Sequence, residues 1–371
     1  MSPIRIGFIG LSGQGWASTI LAPPLFEEPL LSQYQLTAVS TSNPASAEAT
    51  AAKYASLLGT PVKPYHGSPE HIVSDPNVDL IAVSVKVMDH FENAMKVIDG
   101  GKDLFLEWPA GNSLKETSAL ASAAKERGVR TIIGLQARMD PVFQKVKAII
   151  DSGKFGRILS TSLTARMFPG LKMWGPYMSS AMRPYALDSN GGTLLDIGGG
   201  HLLDMLTYIL GPVASVSATL SIQYPVAEII DENGKPTGET IEQDVATQVA
   251  VSGVLTSGAV MSFHLRGGLE TKSDGKAGTP LLWVIDGEKG SIRIEGDDPK
   301  ASAISITTPA GLYVNGEEVK VEGGGFANVR RAWEAYAAKG EGYADLEAAL
   351  KTKALVDAIK RSGKEGRRVD L

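Results

Sequence analysis

Short apolar runs recur through the first third of the chain, at residues 4–9, 36–40, 80–84, 104–107 and 131–135. Between them lie helical stretches such as 45–58 and 113–127. Apolar strands alternating with helices predict a parallel sheet covered on both faces, because neither face of such strands is polar enough to meet water. Ser113 reads as a helix N-cap, with Glu116 completing a capping box.

Beyond Pro141 the pattern changes. One more helix, 142–151, closes at Ser152-Gly153, and period-two alternation follows. In 213–222, Val216, Ala218, Leu220 and Ile222 point one way, and Ser215, Ser217, Thr219 and Ser221 the other. Segments 244–252, 258–265, 280–285 and 291–295 behave similarly, which marks an antiparallel sheet with one packed and one wetter face. Residues 231–243, rich in Gly, Asn, Pro and charge, read as an exposed hairpin excursion, and 344–361 as a final helix with Leu346, Leu350, Leu355 and Ile359 at roughly helical spacing. The expected architecture is an α/β Rossmann domain with a doubly wound parallel sheet over 1–138. A C-terminal α+β domain with an open, mainly antiparallel sheet fills 139–371. An open sheet face of that size calls for a cover, and a homo-oligomer is expected.

Composition narrows the chemistry. At 371 residues the chain exceeds a comfortable single core. With no cysteine, thiolate catalysis, disulfides and cysteine-ligated metals are excluded. A net charge of −5 without a basic cluster argues against nucleic acid as a direct partner. No apolar run reaches membrane-spanning length and no signal segment opens the chain, so no membrane partner and a cytoplasmic location are expected. His66, His71 and His264 lack metal-ligand spacing, so no metal is assigned.

The first apolar run ends in Gly10-Leu11-Ser12-Gly13-Gln14-Gly15-Trp16. A strand followed by a glycine-rich turn and a helix start is the arrangement that cradles a dinucleotide pyrophosphate. The second strand ends in Ser40-Thr41-Ser42-Asn43, with no carboxylate to grip a ribose 2′-hydroxyl. Its hydroxyls suit a 2′-phosphate, so NADP is preferred and NAD is the alternative. Leu104-Phe105-Leu106-Glu107-Trp108-Pro109 ends another strand at the ligand-binding edge. The segment from Gly191 to Asp204 holds Asp196 and His201 near a glycine-loosened helix start, and Asp with His is a common proton-transfer pair. Arg138 follows the sixth strand, and Lys172, Trp174, Tyr177, Arg183 and Tyr185 populate a long aromatic and polar stretch suited to a sugar-like ligand.

Together these segments resemble the Gfo/Idh/MocA oxidoreductase family over essentially the whole chain. The likeness takes in the glycine loop, the His90 helix start, Glu107-Trp108-Pro109, 134–141, 191–204 and the closing 363–371. Gly10-Leu11-Ser12 followed by Gly15-Trp16-Ala17, then Glu107-Trp108 and Gly200-His201, look most like its Gal80-like branch. The resemblance implies cofactor binding by Gly10, Ser12, Gly13, Gln14, Gly15, Trp16, Ser40, Thr41, Ser42, Val85, Lys86, His90, Glu107, Trp108, Pro109 and Arg138. It implies substrate binding by Lys172, Trp174, Tyr177 and His201, and catalysis by His201 with Asp196. Family dehydrogenases carry Lys where this chain has Trp108, and an indole N–H has no titratable proton to offer. Lys86, after the fourth strand, is the candidate replacement cation. Family members also place the Asp one residue nearer the His.

The function so implied is NAD(P)-dependent hydride transfer to or from a sugar, polyol or similar hydroxylated small molecule. Two alternatives stand beside it. One is a Gal80-like cofactor-sensing regulator whose partner is a transcription factor. The other is a redox-neutral enzyme of glycosidic cleavage or epimerisation that oxidises its substrate transiently.

Overall fold

The computed structural model describes residues 2–13, 15–167, 169–268, 280–296, 310–323 and 326–371. It forms two compact units, Met1–Gln136 with Val329–Leu350, and Ala137–Asn328 with Lys351–Leu371. Among the described residues, no helix is long and apolar enough to cross a membrane.

The first unit is built on strands β1 (Ile4–Ile9), β2 (Tyr34–Thr41), β3 (Lys63–His66), β4 (Leu80–Val83), β5 (Asp103–Leu106) and β6 (Thr131–Ile133). They pair in parallel in the order β3-β2-β1-β4-β5-β6. Such an order reverses beside β1, which opens the ligand crevice of a doubly wound sheet at the C-terminal ends of β1 and β4. Helices α1 (Pro44–Leu58), α2 (Glu70–Val73), α3 (His90–Asp99) and α4 (Leu114–Arg127) connect the strands. Asn43 caps α1 by accepting from the Ser46 N–H at 2.9 Å, and Ser113 caps α4 by accepting from Glu116 N–H at 3.3 Å. The Glu116 carboxylate reaches back one residue further than a capping box requires, to the N–H of Asn112 at 2.7 Å.

Sequence reasoning assigned everything after residue 138 to the second domain, whereas residues 329–350 belong with the first unit. Aromatic burial explains the return. A later helix carries Trp333 and Tyr336, both almost fully buried. Trp333 lies edge-on to Tyr34 with centroids 5.6 Å apart and donates its indole N–H to Leu21 O at 3.1 Å. Tyr336 donates to the Asp103 carboxylate at 2.6 Å and lies under the Arg130 guanidinium, 4.0 Å from the ring centroid.

The second unit opens with α5 (Pro141–Asp151) and β7 (Ile158–Arg166). It continues through β8 (Tyr177–Ser179), α6 (Gly200–Leu210), β9 (Val213–Ser221), β10 (Val226–Ile230), β11 (Pro236–Glu242), β12 (Gln248–Leu255) and β13 (Val260–Arg266). Then come β14 (Leu281–Gly287), β15 (Gly290–Gly296), β16 (Gly311–Val314) and β17 (Glu317–Glu318); the chain passes through α7 (Ala327–Ala337, the Trp333 helix of the first unit) and returns along α8 (Leu346–Glu365) to β18 (Val369–Asp370). Nine strands pair in the order β17-β16-β15-β14-β7-β13-β12-β9-β18, antiparallel except for β7 against β13. One face packs on α5, α6 and α8 through Leu163, Trp283, Phe263, Leu203 and Ile359. The expected hairpin excursion is β10 and β11, which join β8 in a separate small sheet.

Candidate functional site

The glycines of the loop have distinct local tasks. Gly10 has φ +98°, and a Cβ there would sit 2.1 Å from the carbonyl oxygen of Ser84, so the loop passes β4 as only glycine can. Its N–H donates to Ser40 O at 2.9 Å, fixing the loop to the end of β2. A Cβ on Gly13 would meet nothing within 4 Å, and Gly15 has φ +133°. This open backbone suits close approach by a pyrophosphate, so the loop fits the dinucleotide its spacing suggests. Gln14, an expected contact, lies outside the described residues. Ser12 is half-buried. The loop runs into a π-helical turn, Ala17–Leu21, rather than a long α-helix. Pro23 and Pro24 follow, and neither supplies the N–H that a continuing helix needs. At the β2 edge Ser40 is buried, Thr41 donates to Asn43 O at 3.1 Å, and Ser42 is exposed.

At the end of β5 the Glu107 side chain turns inward. It is 9% exposed, and its carboxylate oxygen Oε1 accepts from the Trp16 indole at 2.9 Å. Burial pushes its pKa up to about 8, against the opposing pull of hydrogen bonds from Trp16 and the Trp108 backbone. Trp108 is 5% exposed and packs in the apolar core with Leu106, Ala110 and Ile133. At this position a buried indole stands where the family resemblance implies a lysine. Pro109 O accepts from His90 Nδ1 at 2.6 Å, and Val85 O lies 3.1 Å from His90 Nε2. Burial pushes the His90 pKa down against the opposing pull of these two carbonyls, and in its neutral form the imidazole donates to only one of them. Lys86 is exposed just before α3, with no ion pair among the described residues.

In the second unit, the segment before α6 forms a π-turn, Leu195–Gly199, with Gly199 N–H reaching back to Leu194 O at 3.0 Å. A π-turn closes bonds five residues apart and absorbs one inserted residue, which matches the extra residue between Asp196 and His201. Asp196 is nevertheless fully buried in an ion cluster. Lys353 Nζ lies 2.8 Å from its Oδ1, Lys360 Nζ 2.7 Å from its Oδ2, and Thr193 donates to the same Oδ2 at 2.6 Å. Burial pushes its pKa up, but the two ammoniums outweigh that and hold it below the usual carboxylate range. The expected proton-transfer role of Asp196 is corrected accordingly: its charge is consumed in joining α8 to the π-turn. Lys353 and Lys360 escape sequence reasoning, since pairings across 157 and 164 residues leave no periodic trace.

His201 stands apart from that cluster. It is 6% exposed and its Nδ1 has no hydrogen-bond partner. Burial lowers its pKa to about 3, so the imidazole is neutral at physiological pH. Arg138 also departs from expectation. Its guanidinium grips Asp204 with Nε 2.6 Å from Oδ2 and Nη2 2.5 Å from Oδ1, and it stacks over Tyr208 at 4.9 Å. Thr352 donates to Asp204 as well, at 2.9 Å. Arg138 thus braces α6 through Asp204.

The expected substrate stretch shares unusual backbone. Lys172 and Trp174 adopt φ of +48° and +57°. Trp174 is fully buried with its indole nitrogen unpartnered, while Tyr177 on β8 is 37% exposed. Gln243, which sequence reasoning did not single out, donates from Nε2 to Gly175 O at 2.9 Å and leaves its Oε1 unpartnered. Tyr185 packs on Gly192, where a Cβ would lie 2.4 Å from its ring, and Arg183 pairs with Glu239.

Comparison with known proteins follows this geometry. Residues 4–135 match the oxidoreductase family with an NAD-binding Rossmann fold, and 141–296 match the Gal80p C-terminal domain. Dehydrogenase aclE of Aspergillus oryzae is 34% identical over 377 residues, covering 98% of this chain and 97% of that protein. The galactose/lactose metabolism regulatory protein GAL80 of Saccharomyces cerevisiae is 31% identical over 326 residues, covering 85% and 71%. A super-repressor mutant of Gal80p from the same yeast superposes with a TM-score of 0.86 at 25% identity, covering 100% of this chain and 98% of that one. The chain belongs to the Gfo/Idh/MocA oxidoreductase family, and within it to the Gal80-like group.

Proposed function

We propose that the protein is an NAD(P)-dependent oxidoreductase that prefers NADP and acts on a sugar, polyol or similar hydroxylated small molecule. The observation that carries this reading is His201, a buried neutral imidazole whose Nδ1 has no partner among the described residues, in the same unit as the unpartnered Trp174 indole and Gln243 Oε1. A neutral imidazole of this kind accepts a hydrogen bond from a substrate hydroxyl and so orients it, and it takes up that proton as the carbon gives up hydride only where the bound reactants raise its pKa from about 3. A bound nicotinamide supplies the hydride acceptor. Gly10, Gly13 and Gly15 would hold its pyrophosphate, and Thr41 and Ser42 offer hydroxyls, without a carboxylate, to a 2′-phosphate. Lys86, exposed and free of carboxylates, is the cation proposed to steady the substrate oxygen in place of the lysine lost at Trp108. Full-length similarity to a protein named as a dehydrogenase supports the reading.

The second reading, a cofactor-sensing regulator, is favoured by one observation. Trp108 fills the core where family dehydrogenases place a lysine. Absorbance of reduced nicotinamide, followed with NADP and with NAD against a panel of sugars and polyols, separates the two. Turnover, with a loss of about 100-fold or more in His201→Asn, supports the enzyme. Tight cofactor binding with no turnover on any substrate favours the regulator, and substrate conversion without net reduction favours redox-neutral chemistry. We also propose that the open face of the nine-stranded sheet is covered by a second copy of the chain.

A further inference from the structure

The Trp16 indole and the Glu107 carboxyl belong to different parts of the first unit, the glycine-rich loop and the end of β5, and a single 2.9 Å hydrogen bond joins them. The bond spans a cavity of about 10 Å³, room for no more than one water. Apart from Trp16 and Glu107, its walls come from Ile20 and Leu21 of the π-turn, Phe105 of β5, Ile133 of β6, and Ala332 and Trp333 of α7, none of them ionisable. Gly134, Gln136 and Val329 complete it, and a Cβ on Gly134 would lie 2.3 Å from Glu107 Oε2. The carboxyl is therefore wedged between a glycine and the loop's own tryptophan. No cation of the described residues faces it.

We propose that Glu107 is a positioning residue that tethers the glycine-rich loop through the Trp16 indole, and that the charge on this carboxyl sets the loop's affinity for a pyrophosphate-bearing dinucleotide. The inference rests on the cofactor reading above. A neutral carboxyl accepts from the indole without placing charge beneath the loop. An ionised one strengthens that bond, but it also sets a buried negative charge one indole away from the loop proposed to hold the pyrophosphate. A stronger indole bond alters affinity only as far as it differs between free and bound protein, whereas the pyrophosphate charge exists in the bound state alone. Repulsion therefore decides the sign, and binding weakens as the carboxyl ionises. Since burial places that ionisation at about 8, the effect falls just above neutral pH.

Two measurements on the intact chain test this. In nucleotide-free protein labelled with ¹⁵N at the indoles, the Trp16 Nε1–H resonance, assigned by its loss in Trp16→Phe, should titrate near pH 8 and stay fixed in Glu107→Gln. Calorimetric Kd values for NADP should weaken about three- to tenfold between roughly pH 7.5 and 9.5 in the wild type and stay level in Glu107→Gln. Trp16→Phe should bind more weakly at every pH while keeping the wild-type slope. An indole resonance indifferent to pH overturns the tether, and equal slopes in wild type and Glu107→Gln overturn the charge effect. A wild type that binds no dinucleotide at any pH overturns the cofactor reading and the charge effect together, while the resonance titration still decides the tether.

Discussion

Glu107 ionises near 8 in the folded chain and near 4.5 when exposed, because the folded site denies its charge water. Between those values the unfolded chain has released the proton and the folded chain still holds it. Stability therefore falls as pH rises from about 4.5 to about 8 and levels off above, by a few kcal/mol in order of magnitude. Glu107→Gln should remove this slope and raise the melting temperature of the chain at pH 8 relative to wild type, a difference that calorimetry across pH reads directly. Gly134 marks the same wedge from the opposite side. Gly134→Ala should destabilise by about 1–3 kcal/mol, since its Cβ would meet Glu107 Oε2 at 2.3 Å and the cavity leaves little room to yield. Equal urea midpoints for Gly134→Ala and wild type would show that the carboxyl moves aside freely.

Helix α8 holds the second unit together from inside. Its Thr352 reaches Asp204 on α6, while Lys353 and Lys360 grip Asp196 at the π-turn that leads to His201. Removing one partner strands a buried charge, which is costlier than the pair is stabilising. Asp196→Asn should thus cost about 3–5 kcal/mol of stability, and Lys353→Met in the same background should recover part of it. A double mutant cycle in urea that shows additive losses would mean that the two side chains do not share one network.

This cluster also marks how far sequence reasoning reaches. Asp196 and His201 stand within one glycine-rich segment, and their nearness along the chain is all that the sequence shows. Their separation of tasks was not legible, since it depends on lysines that only the packing of α8 delivers. The parallel sheet was legible for β1, β2, β4, β5 and β6, whose apolar runs reflect burial on both faces. Strand β3, Lys63-Pro64-Tyr65-His66, was not: it is a mostly exposed edge strand with a proline, which leaves no apolar signature. Trp333 and Tyr336 carry α7 into the first unit through contacts hundreds of residues apart, beyond any local pattern.

At the scale of the molecule, the nine-stranded sheet has one face that no helix of the described residues covers. Ser217, Ser252, Ser262 and Ser162 stand opposite one another in register across β9, β12, β13 and β7, all exposed. The flanking row runs through Thr219, Ala250, His264 and Thr164 to a half-buried Leu282. Side chains this small make a flat surface on which a second sheet face can approach closely, and flat sheet faces pack about 10 Å apart. A two-fold arrangement would set the serine row of one copy against that of the other, so a bulky charge in mid-row is introduced twice. Sedimentation of the wild type should therefore report a dimer or a higher even oligomer, and Ser262→Lys should shift it to monomer with the helical circular dichroism intact. A wild type that sediments as a monomer at micromolar concentration, or a Ser262→Lys variant that sediments as the wild type does, would place the oligomer contact elsewhere or remove it altogether.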